Sequence, residues 1–277
     1  MDTEQGRDTE YVLGHAEKEL ERLMTQSQLF EPFTAQVFRD AGIAPGMRVL
    51  DVGSGSGDVA FLAARMVGPF GQVVGVDRSA VAVATAGRRA LARDLSNTRF
   101  MVGDASTMAF DEPFDAVVGR FVLLFCPDPV TMVRQVLAHL RVGGVIAFQE
   151  PDWAGCRSAP ESPLWSRCVD WCDEAFRRSR ADPCMGMKLF ATFTAAGLPP
   201  PGLYLHAGIA AGPDHPLYTV AAETVRTLLP TMEQLGIATA DEVDVDTLAA
   251  RVSDEVVGAQ GTVTWFSLVG ATARKLA

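Results

Sequence analysis

A glycine-rich turn between an apolar strand and an apolar helix is the first feature of the sequence with a clear chemical use. The stretch LDVGSGSG occupies residues 50–57, and a helix-like apolar stretch follows at 59–67. Glycine lets the backbone turn tightly and approach a ligand closely, and the unpaired N–H groups of the following helix attract acceptors and negative charge. The turn therefore predicts a ligand site, although the glycines could also serve helix–strand packing alone.

The spacing of the residues around this turn indicates the class of ligand. A dinucleotide fingerprint has its third glycine at the sixth position, where this chain, counted from Gly53, has Asp58. An acid at that position would repel a pyrophosphate. Asp77 ends the next apolar strand, where a carboxylate can accept hydrogen bonds from both hydroxyls of a ribose. A nucleoside without a phosphate fits these residues, and the alternative for Asp77 is a cap on the helix that begins at Ser79.

Strand-like and helix-like stretches alternate from residue 47 to residue 149, and strands such as VVGV and FDAVV are continuously apolar. This pattern is typical of a parallel sheet covered by helices on both faces. The segments 8–40, 151–185 and 216–257 are too apolar to be linkers, so we expect them to form a helical cap. The β-branched and aromatic stretch 261–274 is expected to close the sheet.

Further stretches follow the glycine turn at the ends of the predicted strands. They are VVGVDRS (73–79), VGDAS (102–106), FDAVVGRFVLLFCPDP (114–129) and LRVGGVIAFQEPD (140–152). Together with LDVGSGSG they resemble the class I, Rossmann-like S-adenosylmethionine-dependent methyltransferases of the bacterial small-molecule type. The resemblance is strong over residues 45–150, and YVLGHAEKELERLMTQSQLF (11–30) resembles amino-terminal helices of such proteins.

This resemblance implies an α/β fold with a seven-stranded sheet in the order 3-2-1-4-5-7-6, strand 7 antiparallel, helices on both faces and a helical cap. A single domain would span residues 1–277. Its parts would be the amino-terminal cap helices (1–43), the cofactor-binding core (44–150), the carboxyl-terminal strand region with helical cap inserts (151–260) and the final strand (261–277). Ligands of open α/β sheets bind at the carboxyl ends of the strands, and the cap is expected to stand there.

The resemblance also implies which residues bind S-adenosylmethionine. They are Tyr11, Arg22, Gln26, Gly53, Ser54, Gly55, Asp77, Arg78, Asp104, Ala105, Arg120 and Phe121. The glycine turn would line the methionine part, Asp77 the ribose, and the pair at 104–105 the adenine, while Arg120 and Phe121 would lie beside the sulfonium. The alternatives are a turn role for Asp104 and a surface ion pair for Arg120.

Two residues are candidates for a catalytic base, His15 and Glu150. Histidine titrates near neutral pH and can take a proton without a large shift. Glu150 ends the fifth predicted strand, and its apolar neighbours Phe148 and Trp153 could desolvate it and raise its basicity. The alternatives are a packing or capping role for His15, and for Glu150 a contact with the acceptor or a hydrogen bond to the cap.

Composition narrows the classes of partner. The chain has 34 acidic and 24 basic residues, a net charge of −10, which disfavours a nucleic-acid partner. Arg88 and Arg89 are expected to lie on a solvated helix face. No apolar run is long enough for a membrane helix and the amino terminus is polar, so we expect a cytoplasmic protein without a membrane partner. No metal is expected, since Cys168 and Cys172 fit buried free thiols; a homodimer is left open.

The predicted function is methyl transfer from S-adenosylmethionine to O, N or C of a small, fairly apolar molecule, with secondary metabolites among the candidates. Two alternatives stay open at this point. The first is a methyltransferase-fold protein that binds cofactor or substrate and promotes a rearrangement without methyl transfer. The second is a protein or RNA methyltransferase, which the acidic charge and the apolar inserts disfavour.

Overall fold

The structure is a computed structural model that describes the backbone of residues 17–276 and the side chains of residues 29–276. Tyr11 and His15 lie outside the described residues. Arg22 and Gln26 lie within the first helix, but their side chains are outside the described part.

Strands and helices alternate through the first half of the chain as expected. The strands are β1 (Arg48–Val52), β2 (Gln72–Asp77), β3 (Thr98–Val102), β4 (Phe114–Arg120), β5 (Leu140–Asp152), β6 (Arg157–Ala159), β7 (Gly202–His206), β8 (Ile209–Ala210), β9 (Thr262–Thr264) and β10 (Ser267–Arg274). The α-helices are α1 (Glu17–Ala41), α2 (Asp58–Val67), α3 (Ala80–Leu91), α4 (Pro129–Leu137), α5 (Pro163–Arg178), α6 (Leu189–Ala195), α7 (Pro216–Leu235), α8 (Ala240–Val243) and α9 (Val245–Gly258). Short 3-10 turns at 123–125, 153–155 and 185–188 connect some of them.

A seven-stranded sheet has the order β3-β2-β1-β4-β5-β10-β7. The first five strands are parallel, and β10 runs antiparallel to both β5 and β7. In chain order β7 and β10 are the sixth and seventh strands of this sheet, so the predicted order 3-2-1-4-5-7-6 with an antiparallel seventh strand is confirmed.

Both faces of the sheet are covered. On one face, α1 and α2 pack over strand residues such as Val49 and Val118. On the other face, α4 and α6 pack over Leu50, Val117 and Phe148. The central strands are therefore buried on both sides, which explains why their sequences are apolar without alternation.

The cap has a core of its own. It is built by α5, α7, α9, residues 29–33 of α1 and a small sheet with the order β6-β9-β8. The stretch 261–274, expected as one closing strand, forms two strands instead. Trp265 and Phe266 separate β9 from β10 and are 1% and 4% exposed in the cap core. Consecutive strand residues point to opposite faces, so the strand must break for both rings to enter one core.

Within residues 17–276, no helix has the length and apolar character required to cross a membrane. Cys168 and Cys172 lie on α5 and are buried as reduced thiols in the cap core.

Candidate cofactor site at the carboxyl edge of the sheet

The backbone of the glycine turn has a conformation that residues with a side chain rarely adopt. Gly53, Gly55 and Gly57 have φ angles of 64°, 52° and 93°. A Cβ atom on Gly53 or Gly57 would lie 2.7 Å from the side chain of Val122 or Phe61, whereas a Cβ on Gly55 would meet no atom within 4 Å. The outer glycines are therefore required by packing, and Gly55 borders open space that a ligand can occupy.

Asp77 connects the glycine turn to the end of β2. Its Oδ2 accepts a hydrogen bond of 2.8 Å from the N–H of Gly55, and its Oδ1 accepts one of 2.8 Å from the N–H of Ser79. The side chain of Ser79, not that of Asp77, caps α3 by accepting from the N–H of Ala82. A carboxylate has about four acceptor sites, so Asp77 can hold the turn and still accept hydrogen bonds from hydroxyl groups of a ligand.

The predicted adenine residues form a tight loop after β3. Oδ1 of Asp104 accepts from the N–H and the hydroxyl of Ser106 at 2.9 and 2.6 Å, and Oδ2 accepts from Nη2 of Arg78 at 2.6 Å. Burial alone would raise the pKa of Asp104, but these hydrogen bonds lower it below its ordinary value. The carbonyl of Ala105 lies 2.9 Å from Nε2 of His139, which must donate because a carbonyl only accepts. Asp104 is thus a turn residue that stays ionised.

Three polar side chains, those of Asp51, Arg120 and Gln149, lie under α1 near the carboxyl ends of β1, β4 and β5. Arg120 pairs in register with Gln149, and Asp51 points to the same face of the sheet. Nη1 of Arg120 donates to the hydroxyl of Thr34 at 3.0 Å. Burial raises the pKa of Asp51 well above its ordinary value, and the Arg120 guanidinium opposes that shift.

Asp51 and Gln149 are 1% and 0% exposed, and neither side chain has a hydrogen-bond partner of standard geometry among the described residues. Buried polar groups of this kind are normally paired, so these two residues are candidates for contacts with a ligand. Neither residue was predicted from the sequence. The signal was present in the strand RVLDV, where an acid interrupts an otherwise apolar stretch buried on both sides.

Phe121 follows β4 with a φ of 59°, which is uncommon for an aromatic residue. Its N–H donates to the carbonyl of Gln149 at 2.9 Å, and its ring centroid lies 5.9 Å from that of Phe30 and 5.7 Å from that of Phe266. The unusual backbone angle thus directs the ring toward the cap, where it joins the carboxyl edge of the sheet to the cap core.

Glu150 lies on the opposite face of β5 from Gln149 and is 0% exposed. Oε1 accepts from the N–H groups of Val122 and Leu123 at 3.0 and 2.7 Å, and Oε2 accepts from that of Leu124 at 3.2 Å. Burial raises the pKa of Glu150 to about 7, although the three N–H groups oppose the shift. These contacts support a role in holding the backbone that follows Phe121. A role as catalytic base stays a prediction, as it does for His15.

Asp58 is not a free negative charge at the glycine turn. Its Oδ1 lies 2.6 Å from Nη2 of Arg89, whose Nη1 donates to the carbonyl of Ser56 at 2.6 Å. The two charged side chains are only 15% and 12% exposed. The expectation of a solvated face was therefore wrong for Arg89. Its side chain connects α3 to the glycine turn, because the fold brings α3 next to the beginning of α2.

The doubly wound sheet, the glycine turn after β1 and the acid at the end of β2 define a Rossmann-like α/β fold. Comparison with known sequences defines the family. The sequence profile described as "Methyltransferase domain" matches residues 43–187, which is just over half of the chain. The chain belongs to this family.

Two relatives and one solved structure illustrate the similarity. The 2-phytyl-1,4-naphtoquinone methyltransferase of Synechococcus elongatus is 44% identical over 124 residues, covering 43% of this chain and 50% of that protein. The aklanonic acid methyltransferase DauC of Streptomyces sp. (strain C5) is 36% identical over 125 residues, covering 45% and 57%. The chain thus spans about half the length of the curated relatives it matches. The protein BH2331 of Bacillus halodurans has the same fold, with a TM-score of 0.61 at 18% identity over 88% of this chain and 99% of that one.

Proposed function

We propose that this chain transfers the methyl group of S-adenosylmethionine to an O, N or C atom of a small, fairly apolar molecule. The observation that carries the proposal is the pairing of the Gly55 N–H with the Asp77 carboxylate at the carboxyl ends of β1 and β2, beside open space. Membership of the methyltransferase domain family supports it. Two relatives, by their names, methylate a phytylated naphthoquinone and aklanonic acid, and neither is a macromolecule.

The residues at the site fit the parts of S-adenosylmethionine. Asp77 offers acceptors to the two ribose hydroxyls, and the loop at 104–105 borders the adenine. Under α1, Asp51 offers carboxyl oxygens and Arg120 a guanidinium, which suits the ammonium and carboxylate of the amino-acid end. When bound, the cofactor would supply a methyl group on a positively charged sulfur, and this sulfur is the leaving group when a nucleophile takes the methyl group.

The protein's own contribution to this reaction is alignment and exclusion of water. Phe121 and the aromatic side chains of the cap enclose the carboxyl edge of the sheet, and close alignment of two reactants alone contributes several kcal/mol. A base adds to the rate when the nucleophile is a hydroxyl or a carbon acid, and His15 and Glu150 are the candidates.

Calorimetric titration with S-adenosylhomocysteine tests the cofactor site. Removing the carboxylate in Asp77→Ala leaves two ribose hydroxyls without an acceptor, which costs about 1.5–3 kcal/mol, or roughly tenfold to 150-fold in affinity. The exposed Asp111 provides the control Asp111→Ala, which should bind like wild type. Unchanged affinity in Asp77→Ala contradicts the ribose assignment, and no binding by the wild type contradicts the proposed function.

Methyl-labelled cofactor separates the proposal from its alternatives. Incubation with a lysate fractionated by size should place the label in small molecules. Label in the protein or RNA fraction would favour a macromolecular acceptor. Binding of the cofactor with no transfer to any fraction would favour a rearrangement without methyl transfer.

A further inference from the structure

Three buried polar groups in the cap core have no hydrogen-bond partner among the described residues. They are Nε1 of Trp165, Nε1 of Trp265 and the hydroxyl of Tyr218, in side chains that are 0%, 1% and 3% exposed. The two indole rings are neighbours, with centroids 5.2 Å apart. Buried tryptophan and tyrosine normally pair their polar atoms, so three unpaired groups in one core require an explanation.

Ring contacts connect the two tryptophans to the end of β4, beside which the methyl donor is proposed to bind. Trp265 directly precedes Phe266, whose ring lies 5.7 Å from that of Phe121 at the end of β4. The ring of Trp265 also lies 4.8 Å from that of Trp153, which follows the carboxyl end of β5. The cap core is therefore continuous with the edge of the sheet where the cofactor is proposed to bind.

The chemistry of these groups specifies what could satisfy them. An indole N–H only donates, and a phenol hydroxyl can donate or accept. Both tryptophans therefore require an acceptor such as a carbonyl or phenol oxygen. Most surrounding side chains of the cap core, among them Phe30, Trp153 and Phe266, are aromatic or aliphatic, and two are the cysteines of α5. Such walls favour uncharged ring systems, which contact aromatic faces and edges.

We propose that the cap core is the acceptor subsite and that it takes an apolar ring compound carrying ketone or phenol oxygens, which accept hydrogen bonds from Trp165, Trp265 and Tyr218. The unpaired groups are then the ones that select the oxygens of the acceptor. This inference rests on the proposed function, because only a methyl donor at the edge of the sheet makes a ligand in the cap a methyl acceptor.

Two probes of nearly equal shape test the proposal. Xanthone is a flat tricyclic ketone, and xanthene lacks the ketone oxygen. The chain has 4 tryptophans, so protein labelled with ¹⁵N-tryptophan gives at most four indole N–H signals, assigned with single Trp→Phe variants. With S-adenosylhomocysteine present, xanthone should move the Trp165 or Trp265 signal downfield as a new hydrogen bond forms, and xanthene should not. Absence of a xanthone-specific shift at both signals overturns the proposal.

Affinities provide the second readout. Tyr218→Phe removes only the hydroxyl, and Trp165→Phe keeps an aromatic ring without the N–H. We expect wild type to bind xanthone roughly tenfold more tightly than xanthene, and at least one of these variants to lose most of that preference. The matched controls are Tyr204→Phe on β7 and Trp171→Phe on α5, whose polar atoms are not among the unpaired groups. Equal affinity of wild type for both probes overturns the proposal.

Titration of the same samples with S-adenosylhomocysteine keeps the two proposals distinguishable. If that ligand binds and the probes give no oxygen-specific response, the acceptor subsite is wrong and the proposed function stands. If it does not bind to the wild type, the proposed function fails, and the assignment of the cap ligand as a methyl acceptor fails with it.

Discussion

Replacing Glu150 with glutamine should change the stability of the protein by an amount that depends on pH. Glu150 is fully buried beneath the turn at 122–124, and burial raises its pKa to about 7. Glutamine has a similar shape and stays uncharged at every pH. The comparison therefore isolates the free energy of holding a charge at this position.

The magnitude follows from the linkage between protonation and folding. A glutamate in the unfolded chain titrates at about 4.3, so the folded state binds a proton that the unfolded state has released at intermediate pH. The group's stabilising contribution is complete below that value and is lost as pH rises through about 7. Between pH 5 and pH 8 the wild type should lose about 2.5 kcal/mol of unfolding free energy from this group.

Urea unfolding of both proteins at pH 5 and pH 8 measures this effect. The unfolding free energy of Glu150→Gln relative to wild type should rise by about 2–3 kcal/mol from the lower to the higher pH. The amide nitrogen of glutamine also faces backbone N–H groups, which adds a roughly constant loss of about 1–3 kcal/mol. That loss changes the difference in unfolding free energy between variant and wild type by the same amount at pH 5 and pH 8, so the pH dependence of this difference is unaffected.

The exposed Glu161 supplies the matched control, because Glu161→Gln exchanges the same groups in water and its difference from wild type should hardly change with pH. One result would refute the reasoning. If the difference between Glu150→Gln and wild type is the same at both pH values, the three N–H groups stabilise the ionised carboxylate enough to cancel its burial.

Three further predictions concern the cofactor site and the base. Gly55→Ala and Gly46→Ala both place a Cβ at positive φ in open space, so each should lower stability by about 1 kcal/mol in thermal unfolding. Only Gly55→Ala should weaken the binding of S-adenosylhomocysteine in calorimetry. Equal affinity of both variants for this ligand contradicts the assignment of the turn. Arg89→Met removes the cation beside Asp58, whose carboxylate is 15% exposed and keeps the hydrogen bond from the Ser56 hydroxyl. The change should cost about 3 kcal/mol in urea unfolding, part of which Asp58→Asn should restore in the double variant. Once an acceptor is known, His15→Ala or Glu150→Gln should lower turnover and alter its pH profile; full turnover by both at saturating substrates means that neither residue is the base.

The sequence by itself determined the elements from β1 to β5 and which residues follow the ends of these strands. Apolar strands buried on both faces and helices with one apolar face produce patterns that depend only on neighbouring residues, so the alternation from β1 to β5 was readable. The positions of Gly55 and Asp77 followed because Asp77 is the last residue of β2 and Gly55 lies in the turn that follows β1. The order of the strands came from the resemblance of these stretches to a family, since periodicity alone does not specify which strands are neighbours.

Only the tertiary structure decided which distant residues meet. Asp51, Arg120 and Gln149 come from three strands, and their common position under α1 depends on strand order and register. The pairing of Arg89 with Asp58 depends on how α3 lies against α2. Local patterns contain no information on such contacts, because each is formed by segments separated by tens of residues and is stable only when the whole sheet is assembled.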